Sequence, residues 1–346
     1  MAIAATGSVS FSDLRTEFVG GSASISYSNL YRGGSNIRAK ASNNTGVNLA
    51  ASVPTSGTIN ISNFRSQAKG FRFTYTSGAT NQSAATLFGD DYAVNYPKEI
   101  VINSGVELGA TSTSEEALEL PSGGAGAITV TNNGTLSGAG GAAGQAGGDA
   151  FETAIAVSIV NNGVIRSGGG GGGTGGQGSY TSSSSSGTVY NYYGYPKYYW
   201  RIYPNNYNLM FNWGSSYSHP NGALTTGSYF TTAKTVGNIT YYRGTKYLDN
   251  DNGSYWSISR TVVSTNYQSG GTGGVGQGYG QSLTSGAAGS NNSGAGGSGG
   301  SFGQAGGGGV NGNYTDGVGG GAAGNYIRGL SFVTLTQSGT VQGNTA

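Results

Sequence analysis

Apolar and polar residues alternate in three short segments near the start of the chain: Gly7-Ser8-Val9-Ser10-Phe11-Ser12-Asp13-Leu14-Arg15, Ala23-Ser24-Ile25-Ser26-Tyr27-Ser28-Asn29-Leu30-Tyr31 and Gly57-Thr58-Ile59-Asn60-Ile61-Ser62-Asn63-Phe64-Arg65. Period-two alternation predicts a half-buried strand in each, and the Ser-Asp or Ser-Asn pair near its end predicts the N-cap of one short helical turn. Residues 1–70 are therefore read as a module of their own.

A second pattern recurs farther on. Glu99-Ile100-Val101-Ile102-Asn103-Ser104-Gly105-Val106, Ile128-Thr129-Val130-Thr131-Asn132-Asn133-Gly134-Thr135, Ser158-Ile159-Val160-Asn161-Asn162-Gly163-Val164 and Val333-Thr334-Leu335-Thr336-Gln337-Ser338-Gly339-Thr340 share one plan. In each, a β-branched strand meets an Asn/Ser-Gly turn and a short return strand, which predicts a hairpin. Two of the copies lead straight into glycine-rich runs, so strand pairs are expected to frame the ends of those runs.

The glycine runs have their own period. Gly294, Gly297, Gly300, Gly303, Gly306, Gly309 and Gly312 stand at every third residue with no proline among them, and Gly138 to Gly147 and Gly169 to Gly178 repeat the spacing. Collagen has this glycine period but needs proline-class residues to hold each strand extended. A helix of three residues per turn with a bare glycine edge remains, and its backbone N–H and C=O groups need partners on neighbouring helices. A flexible Gly/Ser linker is the competing reading. The expected fold is mainly β with a glycine-rich bundle of polyglycine-II helices and almost no α-helix. Its parts are a β connector at 71–133, a scaffold at 134–179 and 269–346, and an insertion at 180–268.

Composition narrows the chemistry. Among 346 residues only 9% are charged, 68 are glycine, and the net charge is +2. The 16 Lys and Arg form no basic run, so nucleic acid is not an expected partner. Cysteine is absent, and neither a cationic, apolar leader nor an apolar stretch of membrane-spanning length is seen, so membrane insertion is not expected.

Catalytic motifs occur only as chance matches. Gly296-Gly297-Ser298-Gly299-Gly300 spells a nucleophile elbow and Gly294-Ala295-Gly296-Gly297-Ser298-Gly299 a dinucleotide fingerprint, but neither lies between a predicted strand and a helix. The single histidine, His219, precedes Pro220 in a polar turn. Asp90 with Asp91, and Glu115 with Glu116 and Glu119, are read as solvated acids in preference to a glycosidase pair. Asp249-Asn250-Asp251-Asn252-Gly253 opens like a calcium loop, yet Arg260 stands where the bidentate Glu belongs. No enzyme activity, metal or cofactor is expected.

The insertion is where a positive case arises. Sixteen of the 24 tyrosines and all three tryptophans fall within 180–268. Tyr190, Tyr192, Tyr193, Tyr195, Tyr198, Tyr199, Trp200, Tyr203 and Tyr207 crowd into eighteen residues among Asn, Gly and Lys. Tyr and Trp give large contact area at low conformational entropy and stack on sugar rings, so these nine are the candidate binding residues. Trp213 and Trp256 suit a core instead.

Glycine runs joined by Asn-Asn-Gly strands, with an aromatic segment between them, resemble the host-recognition adhesins of tailed bacteriophages. Gly321-Ala322-Ala323-Gly324-Asn325-Tyr326-Ile327-Arg328-Gly329 and Gly339-Thr340-Val341-Gln342-Gly343 are similar to the ends of phage tail-tip and tail-fibre proteins. Phe11-Ser12-Asp13-Leu14-Arg15, Leu30-Tyr31-Arg32-Gly33-Gly34 and Val53-Pro54-Thr55-Ser56-Gly57 are similar to opening modules of phage virion proteins. The resemblance covers most of the chain outside 180–268. It implies a place in the virion tail, attachment to other tail proteins through 1–70, a bacterial surface receptor, either outer-membrane protein or glycan, and a homo-oligomer such as a trimer. Known adhesin tips carry several short variable loops, whereas this chain has one insertion of nearly ninety residues. A structural tail protein without receptor contact, an ice-binding protein and a polysaccharide depolymerase are the rival readings.

Overall fold

The computed structural model describes residues 3–20, 26–190, 192–195, 199–202, 209–211, 233–236, 239–249 and 253–345. The chain divides into two compact units, Met1–Gly178 with Ser269–Ala346, and Ser179–Gln268.

Among the described residues, the N-terminal segments form helical turns without the strands that their alternation predicts. They are α1 (Phe11–Leu14), continued by a π-helical turn at Arg15–Val19, and two 3-10 turns at Tyr27–Leu30 and Ile61–Phe64. The caps lie two residues earlier than the Ser-Asp/Asn pair suggests. Ser10 caps the first turn, and the Asp13 carboxylate accepts from the Ser10 backbone N–H at 2.7 Å, a reciprocal capping box. Asn60 and Asn63 repeat it in the third turn. Alternation here has a different cause: the last residue of each turn, Leu14, Leu30 or Phe64, is buried in one small core with Phe18, Ile37 and Val53. A two-residue strand, β1 (Val47–Asn48), pairs antiparallel with Phe71 and Arg72 and so joins the module to the remainder of its unit.

From Phe71 the chain winds as a three-sided parallel solenoid of five turns. The first turn comprises β2 (Phe71–Tyr75), β3 (Ala79–Thr80) and β4 (Gln82–Ser83), followed by α2 (Ala84–Phe88). The second has β5 (Lys98–Ile102), β6 (Glu107–Gly109) and β7 (Leu118–Leu120), and the third β8 (Ile128–Asn132), β9 (Thr135–Ser137) and β10 (Phe151–Thr153). The fourth begins with β11 (Val157–Asn161) and β12 (Val164–Arg166). Seven strands of the second unit then intervene: β13 (Gly178–Tyr190), β14 (Tyr192–Tyr195), β15 (Tyr199–Ile202), β16 (Leu209–Phe211), β17 (Ala233–Val236), β18 (Ile239–Asp249) and β19 (Gly253–Gln268). The fourth turn closes with β20 (Asn325–Arg328), and β21 (Val333–Gln337), β22 (Thr340–Gln342) and β23 (Asn344–Thr345) make the fifth.

The predicted hairpins are therefore corners. Each strand and its return strand belong to different sheets and pair in parallel with the same element one turn away: β2-β5-β8-β11-β21 on the first side, β3-β6-β9-β12-β22 on the second and β4-β7-β10-β20-β23 on the third. The Asn-Gly signal is real but serves the bend. Buried Asn132 bonds Asn161 Oδ1 at 2.8 Å in the next turn while its own Oδ1 accepts from Gly134 N–H, a ladder of side-chain amides inside the corner. Like side chains stack in columns, Ile100 on Val130 on Ile159 and Leu108 on Leu136 on Ile165, and fill the interior with Leu118, Phe151 and Ile327.

Both long glycine excursions leave from the corner between the second and third sides, after β9 and after β12. Eight extended runs result, at 138–143, 145–149, 168–177, 270–278, 283–289, 294–301, 304–312 and 317–324, joined by backbone hydrogen bonds that cross from run to run at every third residue. The run 168–177 is central. Its N–H groups donate in three sets, Gly168 and Gly171 to the run 145–149, Gly169, Gly172 and Gly175 to 270–278, and Gly170, Gly173 and Gly176 to 304–312, all at 2.8–2.9 Å. Its carbonyls accept from three further runs: 138–143 with the turn residue Gly144, 294–301 and 317–324.

Six neighbours explain its composition. A Cβ on Gly168 or Gly171 would meet a neighbouring carbonyl oxygen at 1.7 or 1.8 Å, and one on Gly170, Gly172 or Gly173 at 1.9 Å, so no side chain fits. Thr174 breaks the series where the short run 145–149 has ended, and it is exposed.

A charged seam joins the solenoid's third side to the bundle. Arg328 on β20 bonds Asp149 at 2.6 Å and pairs with Glu152 at 3.3 Å and buried Glu116 at 3.4 Å. Burial above all, then the neighbouring Glu152 carboxylate, pushes Glu116 up to about 7 against the pull of Arg328.

Candidate functional site

The second unit holds most of the aromatic residues, and its strand registers sort them. β14, β15 and β16 form an antiparallel three-stranded sheet with Tyr193 opposite Arg201, Tyr195 opposite Tyr199, Gly194 opposite Trp200, and Trp200 opposite Phe211. Cross-strand partners share a face and successive residues alternate. Positions 193, 195, 199, 201 and 210 accordingly lie on one face, which reads Tyr, Tyr, Tyr, Arg and Met. The other face reads Tyr192, Trp200, Ile202, Leu209 and Phe211, an apolar set.

Of the nine sequence candidates, Tyr192, Tyr193, Tyr195, Tyr199 and Trp200 come together in this sheet, and Tyr190 ends β13. Tyr198, Tyr203 and Tyr207 lie outside the described residues, as do Trp213 and His219. A second, four-stranded sheet has the order β13-β19-β18-β17, and Trp256 stands in it opposite Lys246.

Within the first unit, sequence reasoning missed a group at the end of the glycine bundle away from the solenoid. Asn313 N–H donates to Asn292 O at 3.1 Å, and Tyr314 and Thr315 N–H both donate to Gln177 O at 3.1 Å. Asn291 and Asn292 turn there with left-handed φ of 49° and 65°, and Tyr314 is 56% exposed. The chain leaves for the second unit one residue beyond Gln177, at Gly178. Asn291-Asn292 and Asn313-Tyr314 interrupt the glycine period, a signal that the sequence did carry.

The acidic pairs have structural partners. Burial opposes ionisation of Asp91, but Ala41 N–H at 2.7 Å, Asn44 Nδ2 at 2.9 Å and Arg38 at 2.8 Å outweigh it and hold its carboxyl below the usual range. Asp90 accepts from Asn43, Glu115 from Thr111, and Glu116 faces Arg328. Among the described residues no cluster of acids and histidine could hold a metal, and no helix is long and apolar enough to cross a membrane.

One chain thus builds the solenoid and the glycine bundle, with the aromatic unit inserted in the chain after the central run. The model of the phage tail fibre adhesin Gp38 family matches residues 58–346, and the chain belongs to that family. It is a component of the virion tail, of a family of binding proteins. The match takes in the third N-terminal repeat and leaves residues 1–57 outside. No curated protein and no solved structure matches the chain significantly.

Proposed function

We propose that this adhesin binds a bacterial surface receptor through the unit 179–268, carried on a mount of polyglycine-II helices and held to the tail by residues 1–70. The observation that carries the reading is the division of the three-stranded sheet. Tyr192 and Trp200 share a face with Ile202, Leu209 and Phe211 and supply a core, which leaves Tyr193, Tyr195 and Tyr199, beside Arg201, for a partner.

The polyglycine-II assignment rests on hydrogen bonds that repeat every third residue in three directions around 168–177. All six neighbours of that run come from the same chain, so the central run finds its backbone partners without a second copy. Attachment through 1–70 is supported by apolar residues that face outward, Phe11 at 48% and Ile61 at 40% exposure, and by six Lys and Arg against two acids in that module.

A variant with 180–268 replaced by a short Gly-Ser link tests the reading. It should fold and no longer compete with phage for host cells. Full competition by this variant would refute the proposal. Tyr193→Ala, Tyr195→Ala and Tyr199→Ala together should weaken cell binding by about tenfold or more, while Trp200→Ala should lower the unit's melting temperature instead.

A further inference from the structure

The two ends of the solenoid are finished differently. On the first side of the first turn, β1 lies along the outer edge of β2, whose Phe71 and Tyr75 are buried. At the fifth turn β21, β22 and β23 are the outermost strands of all three sheets, and no described strand pairs with their outer edges.

The register shows what that leaves open. Val333 and Leu335 stand over Val157 and Ile159, and Val341 stands over Ile165. Those residues of the fourth turn are buried, whereas their partners in the fifth are half-buried, and Phe332, just ahead of β21, is 49% exposed. The apolar columns of the interior therefore reach the surface at this end, beside strand edges with outward N–H and C=O groups.

Exposed edges are ordinarily guarded by charge, by proline or by a bulge. Strands of the first four turns carry charge, Arg72 in the first, Lys98 in the second, Glu152 in the third and Arg166 in the fourth, but residues 329–346 contain no charged residue and no proline. On the third side the two-residue β23 is blunted by a register shift against β20. The five-residue β21 and three-residue β22 pair without a shift and have no such guard.

The occupant follows from what can match both open edges. A second copy related by a two-fold axis keeps one side opposite itself and exchanges the other two, which sets strands of five, three and two residues against unequal partners. Stacked head to tail, a second copy would offer β2, whose outer edge β1 already occupies. A chain running in the direction of β21 and β22 matches both, as each turn of this solenoid matches the one before it. The adhesin is a component of the virion tail, so a strand donor that stays beside it is another tail protein.

We propose that another protein of the virion tail adds a sixth turn here, as a β-branched strand, an Asn/Ser-Gly corner and a short return strand laid parallel to β21 and β22. This is β-strand addition: main-chain bonds supply affinity, and apolar side chains over Val333, Leu335 and Val341 fix the register. The contact is additional to residues 1–70 and independent of the receptor-binding unit.

The full chain is titrated with tail fibres purified from particles that lack the adhesin. Binding should slow amide exchange across 333–342, where strand partners are gained. Leu335→Lys, which puts a charge in the apolar end, should weaken fibre binding by about tenfold or more. Thr334→Lys with Thr336→Lys, at two exposed positions of the edge strand, should weaken it by about fivefold. The threonine pair alters no buried side chain and should keep the melting temperature of the unaltered chain. Both variants should bind host cells as the unaltered chain does, because the proposed cell contact lies in 179–268. Fibre binding that both variants leave unchanged overturns the proposal, as does exchange slowed within 1–70 and not at 333–342. A concentration-dependent dimer of the unaltered chain that the same variants abolish also overturns it, in favour of a second copy.

Discussion

The solenoid and the glycine bundle are continuous in the chain and bonded to each other, yet they are held together in opposite ways. In the solenoid, backbone hydrogen bonds run between parallel strands, and buried Phe71, Phe88, Phe151, Ile100 and Leu118 fill the interior. In the central run of the bundle, backbone bonds run in three directions and the interior contains no side chain from Gly168 to Gly173. The first structure gains from apolar area removed from water, roughly 25 cal/mol per Å2. The second gains from dense backbone pairing and close packing, and glycine pays a larger conformational entropy for it. The two should therefore fail to opposite substitutions, large to small in one and small to large in the other.

The largest effect is expected at the centre of the bundle. Gly171→Val puts a side chain where Ala142 O stands 1.8 Å from the Cβ position, and should cost more than about 5 kcal/mol and abolish hydrogen-exchange protection across the runs. Retained protection at 168–177 would break the comparison. Phe151→Ala, in the solenoid column with Leu118 and Ile327, should cost about 3–5 kcal/mol in thermal or denaturant unfolding.

The seam between the two regions gives a smaller, pH-dependent effect. Glu116 is raised to about 7 from its usual 4.5, so the folded state binds its proton more tightly than the unfolded chain does. The stability it contributes is complete below about pH 4.5 and is lost as pH rises toward 7. Glu116→Gln should therefore flatten the stability curve between these values and raise stability above pH 7 by on the order of 2 kcal/mol. Stability curves that run parallel from pH 4.5 to 7 would show that the seam does not titrate. Smallest of all is Gly319→Ala. This glycine also lies in a run, but nothing stands within 4 Å of its Cβ position, and the melting temperature should shift by no more than about 0.5 kcal/mol allows.

Several features were legible in the residues. The three-residue glycine period announces a close-packed backbone array, because only glycine permits that approach. The N-terminal repeats announce capped turns, although their alternation was misread as strand. Leu14, Leu30 and Phe64 are buried at the ends of turns, and a single apolar residue per turn beside polar caps mimics a period of two. The Asn-Gly corners were misread as hairpins for a related reason. A turn dipeptide specifies a local bend, and whether the return strand pairs with its predecessor or with a strand in the next turn, 28, 29 or as many as 176 residues away, is decided by long-range register. The aromatic insertion was also visible, but the strand register that sorts Tyr192 and Trp200 from Tyr193, Tyr195 and Tyr199 was not.

By itself the sequence determined where side chains are forbidden, where the chain bends, and where the aromatic residues concentrate, since each of these is enforced over a few bonds. Only the tertiary structure decided which glycines are irreplaceable, for that depends on whether a neighbouring run is present, as it is at Gly171 and is not at Thr174.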